Sequence, residues 1–511
     1  MGAMPDLGRY APWLTAAASL AISLVIIRPF ADAPVGFDTQ ATVLYFERIV
    51  TGTRLEQALT TTPKPLLTLV YGPIHAATGD WRPIVWLTML VHAGAAGLAT
   101  VVWMRAGGMS AGIAGGLVVA GSPLLIEDAA FGNGVPWALF GWLLAALLLT
   151  GTRPRPVAAG AVLALAALAR LETLVLVAGF ALALGWLRWG AWPFRGPRPS
   201  PPPRTWLTLA IPLLALPAML VHDWLLTGDP LFWLAVSQRY SDAIRASRDV
   251  LDPLERTTWF IRRYLALWPV LPFAIIGLVE LVRARRWGEL TGLAALGAGI
   301  AAFLVLLAAR GVYAPHRYAI PVDLAVLFAA AVGFGRSADI VARWAGRSVP
   351  GRSAVARVAV LAACASVAVG GAAFGRAGPF DPGLVGGIGD LRVVNENGAR
   401  IAAHVRAAGA QPSPLAGPRL LVPIPILPRT AVDLDLPLTD VGGLSLSALD
   451  PAASPLRHGQ VVAHDLRGDV PRGAYAVLET DAPVRIGDVT LEPRLIDGAA
   501  GLWVFAVTDA P

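Results

Sequence analysis

A chain of 511 residues that is 56% hydrophobic and only 15% charged, with a mean hydropathy of +0.61, has too much apolar surface for one water-soluble core. The net charge of +7 does not indicate nucleic-acid binding, because the arginines lie in short clusters between apolar runs. The single cysteine, Cys364, excludes a disulfide framework and a cysteine-based metal site. Membrane lipid must therefore cover most of the chain.

Apolar runs near the length that an α-helix needs to cross hydrocarbon recur along most of the sequence. They predict about eleven transmembrane helices within residues 1–377, at 11–28, 83–104, 110–125, 134–150, 157–169, 172–187, 206–225, 265–283, 289–308, 316–334 and 354–375. The first run lacks a small-residue cleavage site and is followed by further spans, so we expect a retained signal anchor.

The arginine clusters predict the orientation of the chain, because loops rich in arginine stay in the cytoplasm. The N-terminus is then cytoplasmic, and the acidic loops face outward. This arrangement requires that the stretch around 65–79 does not cross the membrane. Three prolines and a histidine interrupt that stretch, namely Pro63, Pro65, Pro73 and His75. We predict a re-entrant or interfacial helix there, inside a long outer loop at 29–82 that also holds an amphipathic segment at 41–50.

After about residue 378 the composition becomes mixed, which predicts a separate soluble domain at 378–511. An amphipathic helical pattern occupies 398–408, and β-like runs lie at 419–422, 460–464, 475–479 and 502–507. This pattern is typical of a small α/β domain. Because it follows an odd number of spans, we expect it on the extracytoplasmic side.

The expected outer face collects acidic side chains beyond what a passive helix bundle needs. Asp38, just after the first span, is a candidate general base or ligand of a divalent cation, and the alternative is a helix N-cap. Glu127 and Asp128 follow the third span, and either they are simply solvated or one of them faces Asp38 across a shared cavity. Glu172 is a further acid, two residues after Arg170.

Cationic and aromatic side chains are predicted on the same face. Arg170 is costly at membrane depth and needs a partner, which is either Glu172 or an anionic phosphate. Lys64 adds a cation near the membrane, and His222 ends an outward span before a turn-forming segment. A later cluster contains Tyr313, His316 and Arg317, and it consists either of snorkelling anchors or of lipid-phosphate ligands.

The order of these features resembles the membrane glycosyltransferases of the GT-C fold, which include protein mannosyltransferases, aminoarabinose transferases and actinobacterial mannosyl- and arabinosyltransferases. In that family an acid follows the first span, as Asp38 does, and a Pro-Leu-containing interfacial helix ends the loop, as residues 64–69 do. In the family a second outer-loop acid follows a proline-containing end of a span, and residues 122–128 resemble that stretch. The family's Ala-Arg-Pro-Glu stretch looks like residues 169–172, and its late Arg-Tyr-hydrophobic-hydrophobic-Pro stretch looks like residues 317–321.

The resemblance implies a multi-pass glycosyltransferase of the cytoplasmic membrane that uses a polyprenyl-phosphate sugar as donor. The acceptor is a glycan, a lipid or a protein, and Mg²⁺ or Mn²⁺ is a candidate cofactor. Asp38 would be the base or a metal-supporting carboxylate, and Glu127 or Asp128 would assist. The cationic residues would neutralise the lipid phosphate as it leaves. The alternatives are a transporter or lipid flippase, which would carry midplane charges in broken helices, and a non-catalytic assembly partner that kept the fold.

Overall fold

In a computed structural model, the protein is mostly helical. The residues that the structure describes are 7–33, 35–55, 62–150, 153–189, 203–235, 237–238, 270–309, 320–348 and seven short strands between 420 and 506. The predicted span at 354–375, the amphipathic pattern at 398–408 and the run at 460–464 lie outside them.

The first part of the helical region contains α1 (Leu7–Ile27), α2 (Phe37–Thr51), α3 (Pro65–Thr78), α4 (Arg82–Gly121), α5 (Pro123–Ala130), α6 (Val135–Leu149), α7 (Pro156–Ala169) and α8 (Glu172–Trp189). The second part contains α9 (Leu207–Ala210), α10 (Ala215–Thr227), α11 (Leu271–Arg283), α12 (Trp287–Ala294), a π-helical turn (Ala295–Gly299), α13 (Ile300–Ala309) and α14 (Ile320–Ser348).

Among the described residues, five helical stretches are long and apolar enough to cross a membrane: Tyr10–Phe30, Arg82–Gly121, Arg204–Thr227, Trp287–Leu307 and Ile320–Trp344. Three shorter apolar helices are Val135–Leu149, Pro156–Ala169 and Glu172–Trp186. The helix α3 is a separate element of 14 residues, and it begins at Pro65 and ends before Gly79.

The segment α4 consists of two helical arms that pack against each other as a hairpin. Gly108 has a φ of +86°, a backbone conformation that glycine adopts without steric cost, and the chain reverses there. A Cβ on Gly116 would lie 2.1 Å from Thr100 Oγ1 in the other arm. A straight helix would separate residues 100 and 116 by about 24 Å. The predicted spans 83–104 and 110–125 therefore fall on the two arms.

Glycines allow the helices to approach closely where they cross. A Cβ on Gly277 of α11 would lie 1.9 Å from the carbonyl oxygen of Ala329 in α14, and Gly333 meets Phe273 in the same way. Small residues are the usual means of tight packing between membrane helices, because lipid supplies no hydrophobic force that drives helices together. The largest buried apolar cluster joins α4, α6, α11 and α14.

The C-terminal strands form two sheets. In the five-stranded sheet the order is β2 (Val441–Leu444), β1 (Leu420–Pro423), β3 (Tyr475–Leu478), β7 (Leu502–Ala506) and β6 (Pro493–Asp497). Strand β1 pairs parallel with β2 and β3, whereas β7 pairs antiparallel with β3 and β6. The strands β4 (Val484–Ile486) and β5 (Val489–Leu491) form an antiparallel hairpin. Three of the predicted β-like runs coincide with β1, β3 and β7.

The close crossing of α11 and α14 predicts different effects for two glycine-to-alanine substitutions. Gly277→Ala places a methyl group against the backbone of Ala329, and overpacking of this kind costs about 1–3 kcal/mol. In Gly292→Ala the added methyl meets no atom within 4 Å, and the change favours the helix by up to about 1 kcal/mol. Thermal unfolding in lipid nanodiscs, followed by tryptophan fluorescence, should show a lower Tm for Gly277→Ala only. Equal Tm values for both variants would contradict this packing.

Candidate active site

A buried ion pair joins the first two helices after α1. Asp38 lies in the first turn of α2, where the helix dipole favours a negative charge, and Gly36 rather than Asp38 is the N-cap. Lys64 is the N-cap residue of α3, directly before Pro65. The ammonium Nζ of Lys64 lies 3.1 Å from Asp38 Oδ2, and the exposed fractions of the two side chains are 6% and 15%. The N-cap alternative for Asp38 is therefore wrong, and its carboxylate faces a cation.

The segment with the second pair of acids packs against the start of α2. Ser122 ends α4, and Pro123 begins the short helix α5, so Glu127 and Asp128 lie on a helix and not in the predicted loop. The amide nitrogen of Gly36 donates to the carbonyl oxygen of Phe131 at 2.9 Å. This hydrogen bond places the turn after α5 beside the N-terminus of α2.

Asp128 is held by the turn that follows it. Asn133 Nδ2 donates to Asp128 Oδ1 at 2.7 Å, and the Asn133 amide donates to the Asp128 carbonyl oxygen at 2.8 Å. Gly132 adopts a φ of +74° in this turn, with the side chain of Thr39 close to it. Thr39 Oγ1 donates to the Phe131 carbonyl oxygen at 3.1 Å. Asp128 is 6% exposed, so it is not a solvated surface acid.

Arg170 and Glu172 form a second buried ion pair at the junction of α7 and α8. Arg170 Nε donates to Glu172 Oε2 at 3.1 Å, and a second guanidinium nitrogen contacts the other carboxylate oxygen. A Cβ on Gly134 would lie 3.1 Å from both Arg170 Cδ and Leu67 Cδ1. Arg170, the turn after α5 and α3 therefore meet around Gly134. We call the end of the bundle that carries these two ion pairs the Asp38 face.

His222 of α10 lies between α2 and α3. Its Nε2 is 3.2 Å from Thr68 Oγ1, and its ring packs edge-on against Tyr45 with the centroids 5.9 Å apart. Its Nδ1 is 3.4 Å from Asp223 Oδ1. His222, a predicted substrate ligand, therefore contacts both of the helices that carry the Asp38–Lys64 pair.

A second buried hydrogen-bonded group contacts α3 at Tyr71. Trp137 Nε1 donates to the hydroxyl of Tyr71 at 2.8 Å, and that hydroxyl lies 2.9 Å from Thr88 Oγ1. Burial raises the pKa of Tyr71 above its ordinary value, so the phenol stays neutral. The group attaches α3 to α4 and α6.

The sequence-based prediction missed Thr68, Tyr71 and Asn133. Lys64, Thr68 and Tyr71 recur at intervals of four and three residues within an apolar stretch, which places them on one face of a helix. That spacing was the available signal. Tyr313, His316 and Arg317, which the sequence also predicted in the site, lie outside the described residues.

Three acids of the Asp38 face have polar partners in the structure. Lys64 occupies the carboxylate of Asp38, and Asn133 and Arg170 occupy those of Asp128 and Glu172. In the part of the chain that the structure describes, no group of three or more His, Cys, Asp or Glu side chains is placed to hold a metal ion. No step of the chemistry below is therefore routed through a metal.

A separate apolar groove of about 540 Å³ lies between α8, α11, α12 and α14. Its lining includes Trp186, Leu271, Ile275, Trp287 and Val322, with Thr291 among its few polar residues. Such a surface suits hydrocarbon and offers little to a sugar or a phosphate.

Comparison of the sequence with models of known protein families gives no match, and comparison with curated proteins gives none either. Solved structures do match. ArnT from Cupriavidus metallidurans in the apo state is 17% identical, with a TM-score of 0.53 over 98% of this chain and 100% of that one. Its structure bound to undecaprenyl phosphate gives 17% identity and a TM-score of 0.49 over 98% of this chain and 99% of that one.

The oligosaccharyltransferase of Archaeoglobus fulgidus, solved with a tethered acceptor peptide that contains the NVT sequon, is 10% identical with a TM-score of 0.50. The match covers 85% of this chain and 64% of that one, so the chain spans about two thirds of the length of that enzyme. Identities this low establish the fold and not the activity. The chain is therefore a mostly helical membrane protein with the fold that ArnT and this oligosaccharyltransferase share.

Proposed function

We propose that this protein is an integral membrane glycosyltransferase that moves a sugar from a polyprenyl-phosphate donor to a glycan, lipid or protein acceptor on the outer face of the cytoplasmic membrane. The observation that carries the proposal is the buried ion pair of Asp38 and Lys64, which places a proton acceptor beside a phosphate-binding cation. The fold shared with ArnT and the oligosaccharyltransferase supports the same class of reaction.

The two partners have complementary roles in the transfer. A hydroxyl or amide group of the acceptor attacks the anomeric carbon of the donor sugar and loses its proton to the Asp38 carboxylate. The bond from that carbon to the phosphate oxygen breaks, and negative charge develops on the departing polyprenyl phosphate. Lys64 neutralises that charge, since an ammonium group offers three donors and no acceptor. In the resting protein Lys64 pairs with Asp38, and the phosphate of the donor replaces that partner.

The neighbouring residues complete this arrangement. Arg170 contributes a guanidinium fork suited to phosphate oxygens while Glu172 holds its orientation. Asp128 and Glu127 lie on the adjacent helix α5 and assist in placing the acceptor. Tyr313, His316 and Arg317 remain predicted ligands of the lipid phosphate, as the sequence suggested.

The buried ion pair predicts a selective loss of activity. Asp38→Asn removes the proton acceptor, and transfer should fall by about 10²–10⁴-fold. Lys64→Met should lower transfer by about 10²–10³-fold, and Lys64→Arg should lower it less, because the charge is kept. The measurement is sugar transfer from a polyprenyl-phosphate sugar in nanodiscs, together with mass analysis of envelope glycans in a strain that carries each variant.

Asp32→Asn is the matched control. Asp32 also pairs with a cation, Arg82, at 3.7 Å, but both side chains are largely exposed, so transfer should be unchanged. Full glycan product from correctly inserted Asp38→Asn protein would exclude the enzyme and favour a transporter, a flippase or an assembly partner.

The second ion pair predicts that stability and activity can be separated. Either Arg170→Leu or Glu172→Leu removes one partner of this buried ion pair, which costs about 3–5 kcal/mol. The double variant removes both charges and should be more stable than either single variant. Denaturation in nanodiscs measures the stability of the three variants. The transfer assay should still find the double variant inactive. A double variant with full activity would remove Arg170 from the site.

A further inference from the structure

We propose that His222 is a positioning residue that holds α2 and α3 at the separation at which Asp38 and Lys64 meet. The inference rests on the proposed roles of those two residues and extends the site to α10. It assigns His222 a role between helices in place of the predicted contact with substrate.

The spacing along each helix connects His222 to the pair. Tyr45 lies seven residues after Asp38, two turns along the same face of α2, and Thr68 lies one turn after Lys64 on α3. The imidazole of His222 contacts both Tyr45 and Thr68. A third element therefore contacts both helices, in each case on the face that carries a member of the ion pair.

Thr68 connects the histidine to the backbone of Lys64. The Thr68 amide donates to the Lys64 carbonyl oxygen at 3.0 Å, and Thr68 Oγ1 reaches the same oxygen at 3.2 Å. Lys64 itself has non-helical dihedral angles, with φ at −131° and ψ at 62°. The conformation that directs its side chain toward Asp38 therefore depends on contacts in the first turn of α3, and His222 Nε2 contacts Thr68, the residue whose backbone amide makes one of them.

Asp223 orients the imidazole. A carboxylate oxygen accepts hydrogen bonds, so the contact with Asp223 Oδ1 requires a proton on Nδ1. Nε2 then accepts from the Thr68 hydroxyl, and the Lys64 carbonyl oxygen keeps the Thr68 amide as its donor. The other oxygen, Asp223 Oδ2, accepts from the backbone amide of Trp233 at 2.9 Å. His222 and Asp223 are 5% and 6% exposed, so water competes little for these contacts.

The chain offers a direct probe of this role, because Lys64 is its only lysine. Acylation of Lys64 by an N-hydroxysuccinimide acetate requires the amine to leave Asp38, so the labelling rate measures how often the ion pair opens. The full-length protein in nanodiscs is labelled without any donor and then unfolded and labelled again with an isotopic form of the reagent. Mass spectrometry gives the fraction modified before unfolding.

Two replacements of His222 separate positioning from general packing. The amide of glutamine reaches about as far as Nε2 and keeps the contact with Thr68, whereas the shorter amide of asparagine does not. His222→Asn and the isosteric Thr68→Val should raise the Lys64 labelling rate on the order of fivefold, the effect of one net hydrogen bond on an equilibrium. His222→Gln and Thr68→Ser should label at nearly the wild-type rate.

Thr208→Val is the control for loosened packing, since it removes a similar side-chain hydrogen bond to Pro156, on α7. It should leave Lys64 labelling unchanged. Wild-type labelling of His222→Asn, or equal acceleration in His222→Gln, would overturn the proposal. Labelling involves no sugar transfer, so an active Asp38→Asn variant would refute the proposed function and leave this result standing.

Discussion

Burial of the ammonium of Lys64 against the carboxylate of Asp38 is the constraint on which the Asp38 face depends. Removing two charges from water costs several kcal/mol for each ion, and the attraction between them offsets this only when their geometry is well fixed. The surrounding structure supplies that geometry. Gly36 is hydrogen-bonded to the turn after α5, and Thr68 fixes the backbone at Lys64. In the proposed reaction, the phosphate of the donor replaces Asp38 as the partner of Lys64.

Much of the helical architecture could be predicted from the sequence, because apolar length and proline placement are local signals. The predicted helix at 65–79 corresponds to α3, and the predicted spans at 83–104 and 110–125 fall largely on the two arms of α4. Glu127 and Asp128 were predicted in a loop, but Pro123 begins a helix as soon as α4 ends. The charged residues of the site could also be predicted, since charged side chains near membrane segments need a partner.

The pairing within the site could not be predicted, because it depends on tertiary contacts between distant segments. Nothing in the local sequence indicates that Lys64 meets Asp38 or that His222 lies against Tyr45 and Thr68. For Arg170 the sequence left open an internal partner or a phosphate, and the structure pairs it with Glu172. The helix crossings depend likewise on glycines such as Gly277, whose contacts only the folded chain reveals.

An experimental structure of the protein in lipid with a polyprenyl phosphate bound tests the central claim most directly. The account predicts that the phosphate lies on the Asp38 face, within hydrogen-bond distance of Lys64 Nζ, with the Asp38 carboxylate released toward the space for the acceptor. A phosphate bound at another place, with Lys64 still paired to Asp38, would contradict it.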